Sequence, residues 1–208
     1  MKPAKRIFFM KSLCITIKDW LLAEEEFNRV GLKVEPFQAI VEDNRALGFN
    51  KSVYECMKLA KGEDLLLLED DVKFDGEVRF DFPKDALTVH LGCNLIGMDT
   101  TVWQMPTNGV EGGYARLHNC WQTHANWYSA ECVEFILQNF KFVTDEYKRE
   151  GLQIFDEWLR VNVFPRGRSY VMNPMIAYQR PRWSEIWNCH TDYTSCHTRG
   201  NKWLKDNL

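Results

Sequence analysis

The chain has 208 residues, 45% of them apolar and 13% aromatic, so it can bury one substantial core and we expect a single domain. Its formal charge of −3 lacks the basic excess of a protein that binds mainly to phosphate backbones, which disfavours nucleic acid as the default partner. The chain has no apolar run long enough to span a membrane and no signal-peptide pattern at its start, and its seven scattered cysteines suit reduced thiols. We therefore expect a cytoplasmic protein.

The first part of the chain alternates between strand and helix patterns. In chain order we predict a strand at 6–10, a helix from the N-cap Asp19 to Gly31, a strand at 34–40, a helix with Ser52 and Glu55 at capping-box spacing that ends at Gly62, and a strand at 65–68. The last of these is a run of four leucines, which is typical of a strand covered on both faces. This order predicts a mostly parallel, Rossmann-like α/β sheet flanked by helices.

The second part is less regular. Strands are expected at 88–91 and 94–98, a helix capped by Ser129, a short helix around Trp158, and an aromatic, Arg-rich tail without periodicity. We expect residues 1–187 to form the domain and residues 188–208 to form an irregular C-terminal extension packed on it.

Glu69, Asp70 and Asp71 follow the leucine strand directly. Ligands of open α/β sheets bind at the carboxyl ends of strands, and three adjacent carboxylates repel one another unless a cation or hydrogen-bond donors neutralise them. Mg²⁺ or Mn²⁺ would do so, and would stabilise the charge that develops on a diphosphate leaving group. Alternation along the strand sends Glu69 and Asp71 to one side and Asp70 to the other, with Asp71 the favoured direct ligand. The alternative is a solvated acidic turn.

Several segments together resemble glycosyltransferase family 25, which includes lipopolysaccharide-type galactosyltransferases of the GT-A fold. The matching segments, in the family's order, are 26–40, the helix at 48–61, Leu66-Leu67-Leu68-Glu69-Asp70-Asp71-Val72 with its DXD-like acidic motif, His90-Leu91-Gly92, 123–129 with His124, Phe155-Asp156-Glu157-Trp158-Leu159, 173–179 and 184–186. The resemblance covers most of residues 5–187. It departs on the loop after the first predicted strand, where the family has Asn-Leu followed by arginines and this chain has Lys11-Ser12-Leu13 and Ile15-Thr16-Ile17-Lys18.

The resemblance implies a metal-dependent hexosyltransferase that uses a UDP-sugar and inverts the anomeric centre. Asp156 would then be the general base for the acceptor hydroxyl, with Glu157 as the fallback, although a residue at a helix start can equally be an N-cap. A tail histidine would complete the metal site with Glu69 and Asp71, with His190 assigned and His197 as the alternative. Donor contacts are assigned to Glu69, Asp70, His124, Lys11 and Asn50, with a structural role as the alternative for His124.

Other features leave alternatives open. The segment 109–114 is either a lid or a hairpin turn, the tryptophans at 103, 121 and 127 are either sugar platforms or core, and the Cys-His pairs at 189–190 and 196–197 are a weak zinc pattern. The acceptor is expected to be a glycan, with hydroxymethylated phage DNA possible through an arginine stripe at 160, 166, 168, 180, 182 and 199. The rival functions are a metal-dependent phosphoryl-transfer enzyme and a non-catalytic carbohydrate-binding domain.

Overall fold

The computed structural model of the protein describes residues 10–95, 109–110, 112–143, 154–184 and 188–208. The strands are β1 (Met10–Thr16), β2 (Glu35–Gln38), β3 (Asp64–Glu69), β4 (Val72–Phe74), β5 (Thr88–His90), β6 (Gly109–Val110), β7 (Tyr114–Arg116), β8 (Ala125–Tyr128), β9 (Ser169–Met172), β10 (Ala177–Gln179), β11 (Arg182–Ser184) and β12 (Cys189–Thr191). The helices are α1 (Trp20–Arg29), α2 (Arg45–Leu59), α3 (Ala130–Asn139), α4 (Phe155–Asn162) and α5 (Thr194–Asn207).

The described residues form an eight-stranded central sheet in the order β2-β1-β3-β8-β5-β9-β7-β6. All of its strands run in one direction except β7 and β8, which run in the other. Two small antiparallel pairs, β4 with β10 and β11 with β12, lie beside it. The result is a single mixed α/β domain with a mostly parallel sheet and flanking helices, consistent with the predicted GT-A-like class.

The leucine strand lies at the centre of the core, as predicted. Leu65 and Leu67 point to the side where α2, α3 and α4 pack, while Leu66 and Leu68 point to the side of α1 and β4. All four side chains are at most 2% exposed. Because successive side chains of a strand alternate between faces, a continuous apolar run requires cover on both faces.

Helix starts were predicted with mixed success. Ser129 caps α3 as expected, since its Oγ accepts from the Cys132 amide at 3.2 Å. The prediction that Ser52 and Glu55 form a capping box is wrong. Helix α2 begins at Arg45, where Asn44 accepts from the Leu47 amide, and Ser52 lies inside the helix and donates to the Gly48 carbonyl at 2.8 Å.

Two predicted strands lie largely outside the described residues. Of the first, at 6–10, only Met10 is described, and it is the first described residue of β1. Of the predicted strand at 94–98, only residues 94 and 95 are described, and Asn94 forms an isolated antiparallel bridge with Trp121. The segment at 109–116 is a hairpin of β6 and β7, in which Gly112 and Gly113 adopt positive φ angles of 83° and 82°.

The C-terminal segment is more regular than expected. Residues 188–208 contain β12 and the long helix α5, rather than irregular chain. His197 and Asn201 anchor α5, because His197 Nε2 lies 2.9 Å from Asp75 Oδ2 and Asn201 exchanges hydrogen bonds with the Met175 backbone. Within the described residues, no helix is both long enough and apolar enough to cross a membrane.

Candidate active site

A cavity of about 400 Å³ opens at the carboxyl ends of β1 and β3. This volume falls within the range of small-molecule sites, about 300–1,000 Å³. The acidic residues Glu69, Asp70, Asp71 and Asp156 all line it. The sheet register explains the position, because Ile15 of β1 pairs with Glu69, the last residue of β3, and both strands end at the same edge.

Asp70 is fully engaged by the protein itself. Its Oδ2 accepts from Thr16 Oγ1 at 3.1 Å and from the Ile17 amide at 2.9 Å, and its Oδ1 accepts from Arg182 Nη1 at 2.6 Å. Burial alone would raise the pKa of Asp70, but these donors outweigh it and hold the pKa below its usual range. Asp70 therefore fixes the loop after β1 and anchors Arg182, which limits its capacity for a direct metal contact.

Glu69 and Asp71 have weaker partners. Glu69 Oε1 accepts from Thr123 Oγ1 at 3.3 Å, and Asp71 Oδ2 accepts from Gln179 Nε2 at 3.2 Å, with Arg182 Nη1 at 3.6 Å. Burial and repulsion from the neighbouring carboxylates raise the pKa of Glu69 well above its usual value. Burial raises the pKa of Asp71 to about 6 despite Arg182.

These two carboxylates fit a divalent cation. They are hard oxygen ligands in a buried position, and Mg²⁺ or Mn²⁺ typically takes one or two carboxylates together with phosphate oxygens. A cation would also relieve the repulsion that raises their pKa values. The chemistry of the donor set thus supports Glu69 and Asp71 as candidate metal ligands.

Two arginines bring positive charge to the acidic turn. Arg182 contacts Asp70 and Asp71, and Asp19 lies 3.8 Å from its Nη2. The Arg180 amide donates to the Asp71 carbonyl at 2.8 Å, and its guanidinium donates to the Asp70 carbonyl. Arg182 lines the cavity, and its planar guanidinium is suited to phosphate oxygens.

Asp156 enters the cavity from the first turn of α4. Residue Ile154, not Asp156, holds the N-cap position. Asp156 Oδ1 accepts from the Glu157 amide at 2.8 Å, and Oδ2 accepts from the Gln122 amide at 3.4 Å. Burial raises the pKa of Asp156. A buried carboxylate with a raised pKa at a cavity wall has the properties of a general base.

Gln122 and Gln179 connect the two acidic centres. Gln179 donates to Asp71, Gln122 Nε2 donates to Gln179 Oε1, and the Gln122 amide donates to Asp156. Gln122 has a φ of 79°, a left-handed conformation that non-glycine residues rarely adopt and that concentrates at functional sites. Sequence reasoning missed Gln122, since nothing in the local pattern signals this backbone conformation. Gln179 belongs to the segment 173–179 that resembles the glycosyltransferase family, but its sequence pattern indicated no role of its own.

Several predicted donor or metal contacts lie away from the described lining of the cavity. Lys11 lies toward the opposite end of β1 and pairs with Glu35 at 3.7 Å. His124 is 1% exposed, and burial lowers its pKa to about 4, which fits its alternative structural role. His190 is exposed on β12, where alternation places its neighbour Thr191 at the cavity instead.

Asn50 and Glu157 also lie outside that lining. Asn50 is buried and tied on both sides, since its Nδ2 donates to the Phe142 carbonyl at 2.9 Å and its Oδ1 accepts from the Phe155 amide at 3.1 Å. It therefore positions the start of α4, which carries Asp156. Glu157 contributes its amide to Asp156.

The remaining candidates divide between core and surface. Trp127 is 5% exposed and packs in the core, while residue 103 lies outside the described part of the chain. Arg168 pairs with Glu131 at the start of α3, and Arg166 stacks over Phe135 on the same helix. Because α3 follows the reversed strand β8, these two arginines lie at the sheet edge opposite Arg180 and Arg182, so the four form no continuous stripe.

The chain matches no family model and no curated protein. Among solved structures it is similar to a glycosyltransferase involved in the glycosylation of the major capsid of PBCV-1, with 11% sequence identity over 94% of this chain and 99% of that chain and a TM-score of 0.47. It is also similar to A197 from STIV, with 13% identity over 88% of this chain and 95% of that chain and a TM-score of 0.47.

Proposed function

We propose that this protein is a glycosyltransferase that moves a hexose from a nucleotide-sugar, with UDP as the carrier, to a hydroxyl acceptor. The observation that carries the proposal is the shared cavity, in which Glu69 and Asp71 at the end of β3 face the same space as Asp156 of α4. One acidic centre is suited to a diphosphate with its cation, and the other is suited to deprotonating an acceptor.

The cavity also has an apolar wall for the nucleotide base. Its members come from the end of β1, the segment after β2, and α2: Ile15, Ile17, Ala39, Ile40, Val41 and Phe49. A base ring against such a wall would place its diphosphate toward the carboxyl end of β3, where Arg182 lies. A site with an apolar face and a few convergent polar groups is typical of small-molecule binding.

In the proposed reaction Glu69 and Asp71 hold Mn²⁺ or Mg²⁺, which when bound stabilises the negative charge on the leaving diphosphate. Arg182 adds a second positive charge beside it. Asp156 accepts the proton of the acceptor hydroxyl as that oxygen attacks the anomeric carbon, and direct displacement inverts the configuration. Gln122 and Gln179 hold the two acidic centres at a fixed separation.

The first test is calorimetric titration of UDP with and without Mn²⁺ on wild type and on Asp71→Asn. We expect Mn²⁺-dependent binding in the wild type and a loss of affinity of about tenfold or more in the variant, because a direct ligand matters at least as much as the outer partners of a metal site. Glu63→Gln is the matched control, since it removes one exposed charge beside the other end of β3 and should bind normally.

Two results would count against the proposal. UDP binding with the same affinity with and without Mn²⁺, and unchanged in Asp71→Asn, would refute the proposed role of the metal. Sugar binding without any nucleotide binding would favour a non-catalytic carbohydrate-binding domain instead.

A further inference from the structure

A second group of potential metal ligands lies outside the described lining of the cavity and plays no part in the proposed transfer. His90 is the last residue of β5, Cys93 lies three positions later, and Cys120 lies in the segment between β7 and β8. The three side chains are 0%, 2% and 2% exposed, and one ligand atom from each lies within 4.8 Å of the others. Within the described ranges, it is the one group of three or more His, Cys, Asp or Glu side chains whose ligand atoms lie close enough to share a metal ion.

We propose that His90, Cys93 and Cys120 bind a structural zinc ion. Tetrahedral zinc with bonds of about 2.0 Å to nitrogen and about 2.3 Å to sulfur places the nitrogen and sulfur about 3.5 Å apart and two sulfurs about 3.8 Å apart. His90 Nδ1 and Cys120 Sγ are 3.7 Å apart. The cluster therefore needs little rearrangement to close around the ion.

The hydrogen bonding of the His90 ring leaves Nδ1 available to an ion. His90 Nε2 is buried and has no hydrogen-bond partner in the described part of the chain, so the weak contact of Nδ1 with sulfur is the polar contact found for this ring. Nδ1 therefore has no strong hydrogen bond to give up when an ion binds, whereas Nε2 would stay without a partner.

Charge and backbone geometry also suit zinc. Two thiolates balance the charge of Zn²⁺, so the loaded cluster is neutral and compatible with full burial. The backbone bridge between Asn94 and Trp121, with N···O distances of 3.0 and 3.2 Å, holds the segment of Cys93 against that of Cys120. Borderline ligands of this kind favour zinc over the hard cation proposed for Glu69 and Asp71.

The position of the cluster indicates what the ion would do. Cys120 lies two residues before Gln122 and three before Thr123, both of which line the cavity. Zinc would tie this segment to the end of β5 and so help to hold Gln122 in its left-handed conformation. Three protein ligands leave the fourth position of a tetrahedral zinc to a water molecule or another donor. Because the cluster is buried and none of its members belongs to the described lining of the cavity, its role would be structural.

The test is titration of the reduced, metal-stripped full chain with Co²⁺, followed by displacement with Zn²⁺. We expect about one thiolate-bound Co²⁺ per chain, with the visible absorption of tetrahedral cobalt and a thiolate charge-transfer band, which an ion on the oxygen ligands Glu69 and Asp71 would not give. Cys93→Ser and Cys120→Ser should each weaken binding at least about tenfold. Cys132→Ser is the matched control, because Cys132 is also buried but lies outside the cluster on α3.

Three outcomes would overturn the proposal: a wild-type chain that binds Co²⁺ without a thiolate band or not at all, a Cys132→Ser variant that loses this band as fully as the cluster variants, or a Cys93–Cys120 disulfide in the protein isolated without reductant. If the serine variants do not fold, the Tm of the wild-type chain is compared between Zn²⁺ and a chelator to test for the site. We expect a higher Tm with Zn²⁺, and equal Tm values would refute the site. These readouts do not depend on sugar transfer, so they are separate from the test of the proposed function.

Discussion

Replacing Asp156 with asparagine removes the proposed base while leaving the fold intact. The side chain accepts one short hydrogen bond, from the Glu157 amide at 2.8 Å, and one long one, from the Gln122 amide at 3.4 Å. The asparagine oxygen can keep the short bond, so the loss is one weak hydrogen bond, about 1 kcal/mol. In a chain of this length that changes Tm by about 2–4 °C.

The effect on rate should be far larger. General base catalysis contributes about 10²–10⁴-fold, or about 2.7–5.5 kcal/mol of barrier. We therefore expect Asp156→Asn to lower the rate of UDP release from the donor, with water as acceptor, by at least about 100-fold at unchanged UDP affinity. The wild-type rate should rise with pH through a pKa above the usual value of about 3.9, because the base acts deprotonated and burial raises its pKa.

Glu157→Gln is the matched control for this experiment, since Glu157 adjoins Asp156 but lies outside the described lining of the cavity. Glu157→Gln should retain the wild-type rate and the same decrease in rate at acidic pH. A rate within about threefold of wild type in Asp156→Asn, or the large loss in Glu157→Gln instead, would refute the assignment of the base.

Two further predictions concern stability. A Cβ added at Gly92 would lie 1.7 Å from the Ala177 carbonyl oxygen, a backbone atom that can move only with β10. Gly92→Ala should therefore lower the free energy of unfolding, measured in urea, by about 3 kcal/mol, the upper end for overpacking. A loss below about 1 kcal/mol would contradict the close approach. Burial by itself would raise the pKa of Glu26, but hydrogen bonds from Arg29, the Phe74 amide and Lys73 outweigh it and lower the pKa to about 2. The stabilisation by Glu26 is thus complete above the unfolded pKa of about 4.3 and is lost as the pH falls toward 2. Relative to wild type, Glu26→Gln should be less stable by about 1.5–3 kcal/mol at neutral pH, and the difference should shrink at acidic pH; a difference independent of pH would contradict this account.

Much of the α/β architecture could be predicted from local pattern. The leucine run indicated a strand covered on both faces because four successive leucines in a strand need burial on two sides, and Leu65 to Leu68 alternate between the two core clusters as required. The position of the acidic triplet followed from the same strand, since its carboxyl end is where an open sheet leaves room for a ligand. The predicted alternation of the triplet does not apply beyond Glu69, because Asp70 and Asp71 lie in the turn after β3 and all three side chains line the cavity.

Local pattern failed where function depends on residues distant in sequence. Asp70 is held by Arg182, 112 positions away, and Asp71 by Gln179, 108 positions away. His190 and Thr191 are adjacent in sequence, but only the pairing of β11 with β12 decides which of them reaches the cavity.

The sequence by itself determined the central strand, the alternation of elements and the place of the acidic triplet, because these depend on hydrophobic burial and side-chain period over a few residues. Only the tertiary structure decided that Asn50 supports α4, that Gln122 joins two acidic centres, and that His90, Cys93 and Cys120 meet. Those contacts depend on strand order and crossover geometry, which bring together segments that have no local signal of their proximity.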